Sequence, residues 1–174
     1  MRLSVLPVLT ALLVPAPVLA AEQGWPEYSF PEAGFAAQYP SRPQVQEGTY
    51  KTALVTQGSV KERVYSVNSG GVVYMVAIAD FTGGPRQDET KVIDEAAKAL
   101  MQMGQLTHDV SARIDWHYGR EIRVDDGRGT SYTDAIFYIE RKLYQLKVVY
   151  PEMNTDPVGS SGIHFFQQAF RLLP

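Results

Sequence analysis

The order of apolar and polar residues predicts strands over most of the chain. Alternating runs, each closed by proline, glycine or charged turn residues, are typical of a folded sheet. In one run both alternating sets are apolar, which predicts an inner strand covered on both faces; that run is 72–81. The predicted strands are 34–40, 44–52, 60–67, 72–81, 110–118, 121–125, 130–139 and 143–150.

Two segments change to the spacing of a helix. From Asp88 to Gly104, the residues Val92, Ala96, Leu100 and Met103 fall on one predicted buried stripe. The second predicted helix covers 158–170. Strands, a helix, further strands and a final helix predict an α+β fold, with an antiparallel sheet sandwiched by helices.

The first twenty residues read as a signal peptide. Met1 and Arg2 precede an apolar run, and Val18-Leu19-Ala20 supplies the small residues of a cleavage site. Prolines within the run argue against a retained spanning helix. We therefore expect cleavage after Ala20 and a single domain over 21–174, periplasmic or secreted, without membrane insertion.

Composition removes several classes of function. Without Arg2 the chain holds 15 Lys and Arg against 19 Asp and Glu. The basic residues are interleaved with acidic ones, which argues against a nucleic-acid partner. The chain has no cysteine, so disulfides, thiol nucleophiles, zinc–thiolate sites and lipid attachment at a cysteine are excluded.

Four short motifs resemble the PsbP-like group over nearly all of 21–174. They are Phe30-Pro31-x-x-Gly34-Phe35, Gly119-Arg120-Glu121, Arg141-Lys142-Leu143-Tyr144-Gln145-Leu146 and Phe165-Phe166-x-x-Ala169-Phe170-Arg171-Leu172. The group includes an extrinsic subunit of photosystem II, Ran-binding nuclear import factors and uncharacterised exported bacterial proteins. The resemblance implies the PsbP-like α/β/α fold and repeated use as a docking subunit. Relatives often have glycine in the turn before Leu143, where this chain has Glu140-Arg141.

Candidate chemistry is sparse. Asp115 and His117, on a predicted strand, would share one face and supply two metal ligands, although three or four protein ligands are normal. A serine hydrolase needs Gly-x-Ser-x-Gly, and the sequence around Ser160 lacks that spacing. We therefore predict no catalytic residue and no cofactor, and keep Asp115 and His117 as weak metal candidates.

The aromatic residues suggest a binding surface instead. We predict a ligand or partner surface formed by Trp25, Trp116, His117, Arg120 and Glu121, because large aromatic rings with polar neighbours suit recognition. The favoured function is a non-catalytic periplasmic binding or assembly module, whose partner is another protein or a small ligand. The alternatives are a small hydrolase or metal-dependent enzyme, and a small-ligand carrier with a cavity among the tyrosines.

Overall fold

A seven-stranded antiparallel sheet forms the centre of the molecule. The computed structural model describes residues 24–151 and 157–174, and the predicted signal peptide lies outside the described residues. The elements are β1 (Glu27–Phe30), β2 (Phe35–Gln38), β3 (Gln44–Lys51), β4 (Ser59–Ser69), β5 (Val72–Asp80), α1 (Glu89–Met101), β6 (Gln105–Ile114), β7 (His117–Asp125), β8 (Thr130–Ile139), β9 (Lys142–Pro151), α2 (Pro157–Gln168) and β10 (Arg171–Leu172).

The strand order of the large sheet is β3-β4-β5-β9-β8-β7-β6, and every neighbouring pair is antiparallel. The predicted inner strand is confirmed, since β5 lies between β4 and β9. Its hairpin with β4 turns at Gly70 and Gly71, both of which have the positive φ that glycine adopts without cost. The two ends of the sheet, β3 and β6, are edge strands.

Helix α1 covers one face of the large sheet. The carboxylate of Asp88 accepts a hydrogen bond from the Lys91 amide at 3.0 Å and caps the helix. Val92, Ala96 and Leu100 are buried against the sheet as predicted. The prediction for Met103 is wrong: the helix ends at Met101, and Met103 lies beyond it with an exposed side chain.

The opposite face is covered by a second, smaller sheet and by residues of α2. Strands β1, β2 and β10 form this sheet, and its Phe35 packs in the same core as Ile163 and Phe166 of α2. The predicted α+β class and antiparallel sheet are confirmed. The pattern did not predict the small sheet, because the residues of β10 follow a helix without a turn residue between them. In the described part of the chain, no helix is both long and apolar enough to span a membrane.

A hairpin replaces the strand predicted over 110–118. The chain turns at Asp115 and Trp116, and Asp115 has a φ of 50°. Ile114 pairs with His117 across this two-residue turn. The prediction was wrong because neither turn residue is a glycine or proline, the usual signals of a turn. Gly119, which falls between the predicted strands 110–118 and 121–125, lies inside β7.

The turn between β8 and β9 carries two side chains in a conformation that suits glycine. Glu140 and Arg141 have φ values of 50° and 65°, in a turn type that prefers Asn-Gly. We expect Glu140→Asn to raise the free energy of unfolding by roughly 0.5–1 kcal/mol, because asparagine adopts this backbone at lower cost. Denaturant titration measures the gain. Arg141→Gly is the contrasting variant, because Arg141 donates hydrogen bonds to the carbonyl oxygens of Phe81 and Gly84. Equal gains in the free energy of unfolding for both variants would contradict a stabilising role of the Arg141 side chain.

Candidate docking surface

Exposed apolar side chains are concentrated at one edge of the large sheet. Among the described residues, seven large hydrophobic side chains are exposed, and five of them lie between positions 103 and 118. We call these five the edge patch: Met103, Leu106, Val110, Trp116 and Tyr118. Leu106 and Val110 lie in β6, Met103 precedes it, and Trp116 and Tyr118 belong to the turn and to β7. Isolated exposed apolar residues are ordinary, but a concentration at one sheet edge is typical of an interaction surface.

Arg113 lies against two aromatic rings at the tip of the β6–β7 hairpin. Its guanidinium carbon is 5.4 Å from the ring centre of Trp116 and 5.8 Å from that of Tyr118. Its Nε donates to the carbonyl oxygen of Asp115 at 2.6 Å, which fixes the side chain. Trp116 is 84% exposed and Tyr118 is 67% exposed. Aromatic residues and arginine dominate protein–protein binding energies, so this tip has the composition of an interface.

Arg120 holds the hairpin against α1. It donates to both carboxylate oxygens of Asp109, at 2.8 and 2.7 Å, and to Asp94 of α1 at 3.0 Å. The guanidinium of Arg120 lowers the pKa of Asp109 below its usual value. This arrangement braces β6 and β7 against the helix, so Arg120 positions the edge patch.

Two clefts flank the hairpin and meet at Glu89, the first residue of α1. Their volumes are about 660 and 480 Å³. Both linings include several charged side chains. The first contains Arg86, Glu89, His117, Glu140 and Arg141, and the second contains Glu89, Asp94, Asp109 and Arg120. Charged groups placed beside exposed apolar side chains are typical of the polar rim of a protein interface.

The structure separates the residues of the predicted surface. Trp116, His117 and Arg120 lie on or beside β7, close to the edge patch. Glu121 follows Arg120 in the strand and therefore faces the opposite side of the sheet. Trp25 packs on Tyr74 of β5, with ring centres 4.7 Å apart, and β9 and β8 lie between β5 and β7. The surface that the structure brings together includes Arg113 and Tyr118, which the sequence analysis did not single out.

The geometry expected for a metal pair is corrected. Asp115 lies in the turn and His117 begins β7, so the two side chains do not share a strand face. Within residues 24–151 and 157–174, no three His, Asp or Glu side chains are grouped so that they could hold a metal ion.

A buried carboxylate lies under α1, where the sequence analysis named none. Asp134 of β8 is fully buried, and its Oδ2 accepts from Nε2 of Gln145 at 2.7 Å and lies 4.0 Å from Nζ of Lys147. Burial raises the pKa of Asp134 to about 6, although Lys147 and the Gln145 hydrogen bond act in the opposite direction. Its sequence signal was a lone acidic residue between Tyr132 and Ile136 on the apolar face of a strand.

Comparison with known proteins identifies the fold. The structure resembles the solution structure of cyanobacterial PsbP (CyanoP) from Synechocystis sp. PCC 6803, with a TM-score of 0.54. The match covers 91% of this chain and 98% of that chain at 15% sequence identity. The chain has a PsbP-like fold. No family model matches the chain, and no curated protein matches its sequence.

The PsbP-like motifs of this chain are structural. Gly34 ends a short helical turn with a φ of 78°, and Phe35 is completely buried. Phe166 packs against Tyr39 and Tyr74 in the core. Gly119 permits close contact between β7 and β8. The PsbP-like motifs therefore account for the packing of the fold, and their one link to the edge patch described above is Arg120, which braces the hairpin against α1.

Proposed function

We propose that the chain is an exported, non-catalytic assembly module that docks a protein through the edge patch. The observation that carries this proposal is the concentration of five exposed large hydrophobic residues on and beside the β6–β7 hairpin, at one edge of the large sheet. Export follows from the signal-peptide pattern of residues 1–20, with release into the periplasm as the destination. The PsbP-like fold is consistent with a docking role.

The alternatives lack a supporting observation. A metal-dependent enzyme built on Asp115 and His117 requires at least one further ligand, and within residues 24–151 and 157–174 no three His, Asp or Glu side chains are grouped for that role. A small-ligand carrier requires a cavity among the tyrosines. Instead, Tyr39 and Tyr65 are completely buried, and Tyr144 packs against Phe170 in the same core. The docking role is therefore the function that the described residues support best.

Site-specific photo-crosslinking in cells tests the docking surface. We expect a photo-reactive amino acid in place of Trp116 to give an adduct of one defined mass, because an interface places a partner against this side chain. The same replacement of Val45 is the matched control, since Val45 is 50% exposed on the opposite edge strand, β3.

The pattern of adducts decides the outcome. An adduct from position 116 with none from position 45 supports docking at the edge patch. Equal labelling at both positions, or labelling at position 45 alone, would exclude the edge patch as the docking surface.

A further inference from the structure

Strand β6 presents free backbone hydrogen-bonding groups along the edge patch. Ile114 and His117 flank a two-residue turn and therefore exchange both of their backbone hydrogen bonds. Because bonded and non-bonded pairs alternate along an antiparallel ladder, the N–H and C=O groups of Asp109, Ser111 and Arg113 point away from β7. These groups form an exposed template for one more strand.

The side chains of β6 are complementary to themselves about Ser111. A two-fold axis through Ser111 pairs β6 with a second β6 in antiparallel orientation, in a register where outward-pointing backbone groups meet. That register places Asp109 of each copy opposite Arg113 of the other. It also places Val110, an exposed residue of the edge patch, opposite Ala112. Opposite charges and apolar contacts across neighbouring strands both stabilise a sheet.

We propose that the partner at the edge patch is a second copy of this chain, joined by antiparallel pairing of β6 about Ser111. This inference rests on the proposed docking function and names its partner. The paired molecules form one continuous sheet of fourteen strands, twice the seven of the large sheet. Trp116 and Tyr118 of each copy then lie beside the new interface.

The other edge strand supplies a control with the same backbone chemistry. The amide of Thr52 donates to the carbonyl oxygen of Gly58 at 3.0 Å, so the alternation turns the backbone groups of Thr49 away from β4. An axis through Thr49 would also bring Glu47 opposite Lys51. Charge therefore does not choose between the edges. The exposed apolar surface distinguishes the two edges. On β3, Val45 is the only large hydrophobic side chain that is exposed among the described residues.

Sedimentation of the purified mature chain over a wide range of concentrations tests the pairing. We expect a reversible monomer–dimer equilibrium. Ser111→Pro removes an outward N–H from each copy and should weaken association by about tenfold or more, because two hydrogen bonds at the axis are lost. Thr49→Pro makes the same change on β3 and should leave association unchanged.

A second pair of variants does not depend on proline. Arg113→Glu places two like charges opposite each other at each end of the pairing and should weaken association, whereas Arg113→Lys should preserve it. Circular dichroism establishes that each variant remains folded.

The possible outcomes separate this inference from the docking proposal. Weaker association in Ser111→Pro and Arg113→Glu, but not in Thr49→Pro, supports pairing through β6. Loss with Thr49→Pro alone assigns the interface to β3 and overturns the inference. A monomer at every concentration also overturns it, while a crosslinked adduct between position 116 and a different protein would leave the docking function standing.

Discussion

Gly119→Ala should lower the free energy of unfolding by about 3 kcal/mol, at the upper end of the range for overpacking. A Cβ at position 119 would lie less than 3.0 Å from both the carbonyl oxygen of Ile136 and the ring of Phe137. Gly119 pairs directly with Phe137 in the ladder between β7 and β8. The backbone on one side and a buried ring on the other leave the methyl group little room, so the strands must separate. Thermal and denaturant unfolding measure the loss.

Gly48→Ala is the matched control for this substitution. Gly48 lies in edge strand β3, and a Cβ built there meets no atom within 4 Å. The added methyl group should leave stability unchanged or raise it slightly, since alanine loses less backbone entropy on folding. If the two variants were equally stable, the close approach of β7 and β8 at Gly119 would be refuted.

Between pH 3 and pH 7, Asp134→Asn should gain about 3 kcal/mol in its free energy of unfolding relative to the natural protein. The pKa of Asp134 is raised to about 6 in the folded protein, chiefly by burial. The folded state therefore binds a proton more tightly than the unfolded chain. Protonated Asp134 therefore contributes to the stability of the folded protein below about pH 4, and this contribution is lost as the pH rises through 6. Asparagine does not ionise, so the variant should gain stability relative to the natural protein as pH increases.

Denaturant unfolding of both proteins at a series of pH values measures this difference. Asp126→Asn is the control of opposite sign, because the pKa of Asp126 is lowered by the backbone amides of Thr130 and Arg128. Asp126 stabilises the folded protein above its unfolded pKa, and that contribution is lost as pH falls. A constant difference between Asp134→Asn and the natural protein across this range would contradict the raised pKa.

The parts of the fold that sequence analysis predicted depend on local signals. The predicted strands 60–67 and 72–81 are joined by a turn with two glycines, and α1 has both a capping residue and a regular apolar stripe. Local backbone preference and burial indicate the same structure there, so the prediction was reliable.

The remaining features depend on contacts between distant residues. The turn at Asp115 and Trp116 contains neither glycine nor proline, and β10 becomes a strand by pairing with β2. The edge patch could not be located before β6 was known to be an edge strand. Trp25, by contrast, was grouped with Trp116 on residue type alone, and residue type carries no information about distance.

The small sheet makes the order in which the chain becomes available matter for folding. Arg171 of β10 donates to Glu27 at 2.7 Å across 144 positions of sequence, and β10 pairs with β2. During synthesis, β2 appears early and its neighbour β10 appears late. Until then Phe35 and Ala37, completely buried in the finished protein, have no complete covering layer. Such contacts between distant residues are slow to form, so a newly made chain passes through a period in which a chaperone that binds apolar segments has access to β2.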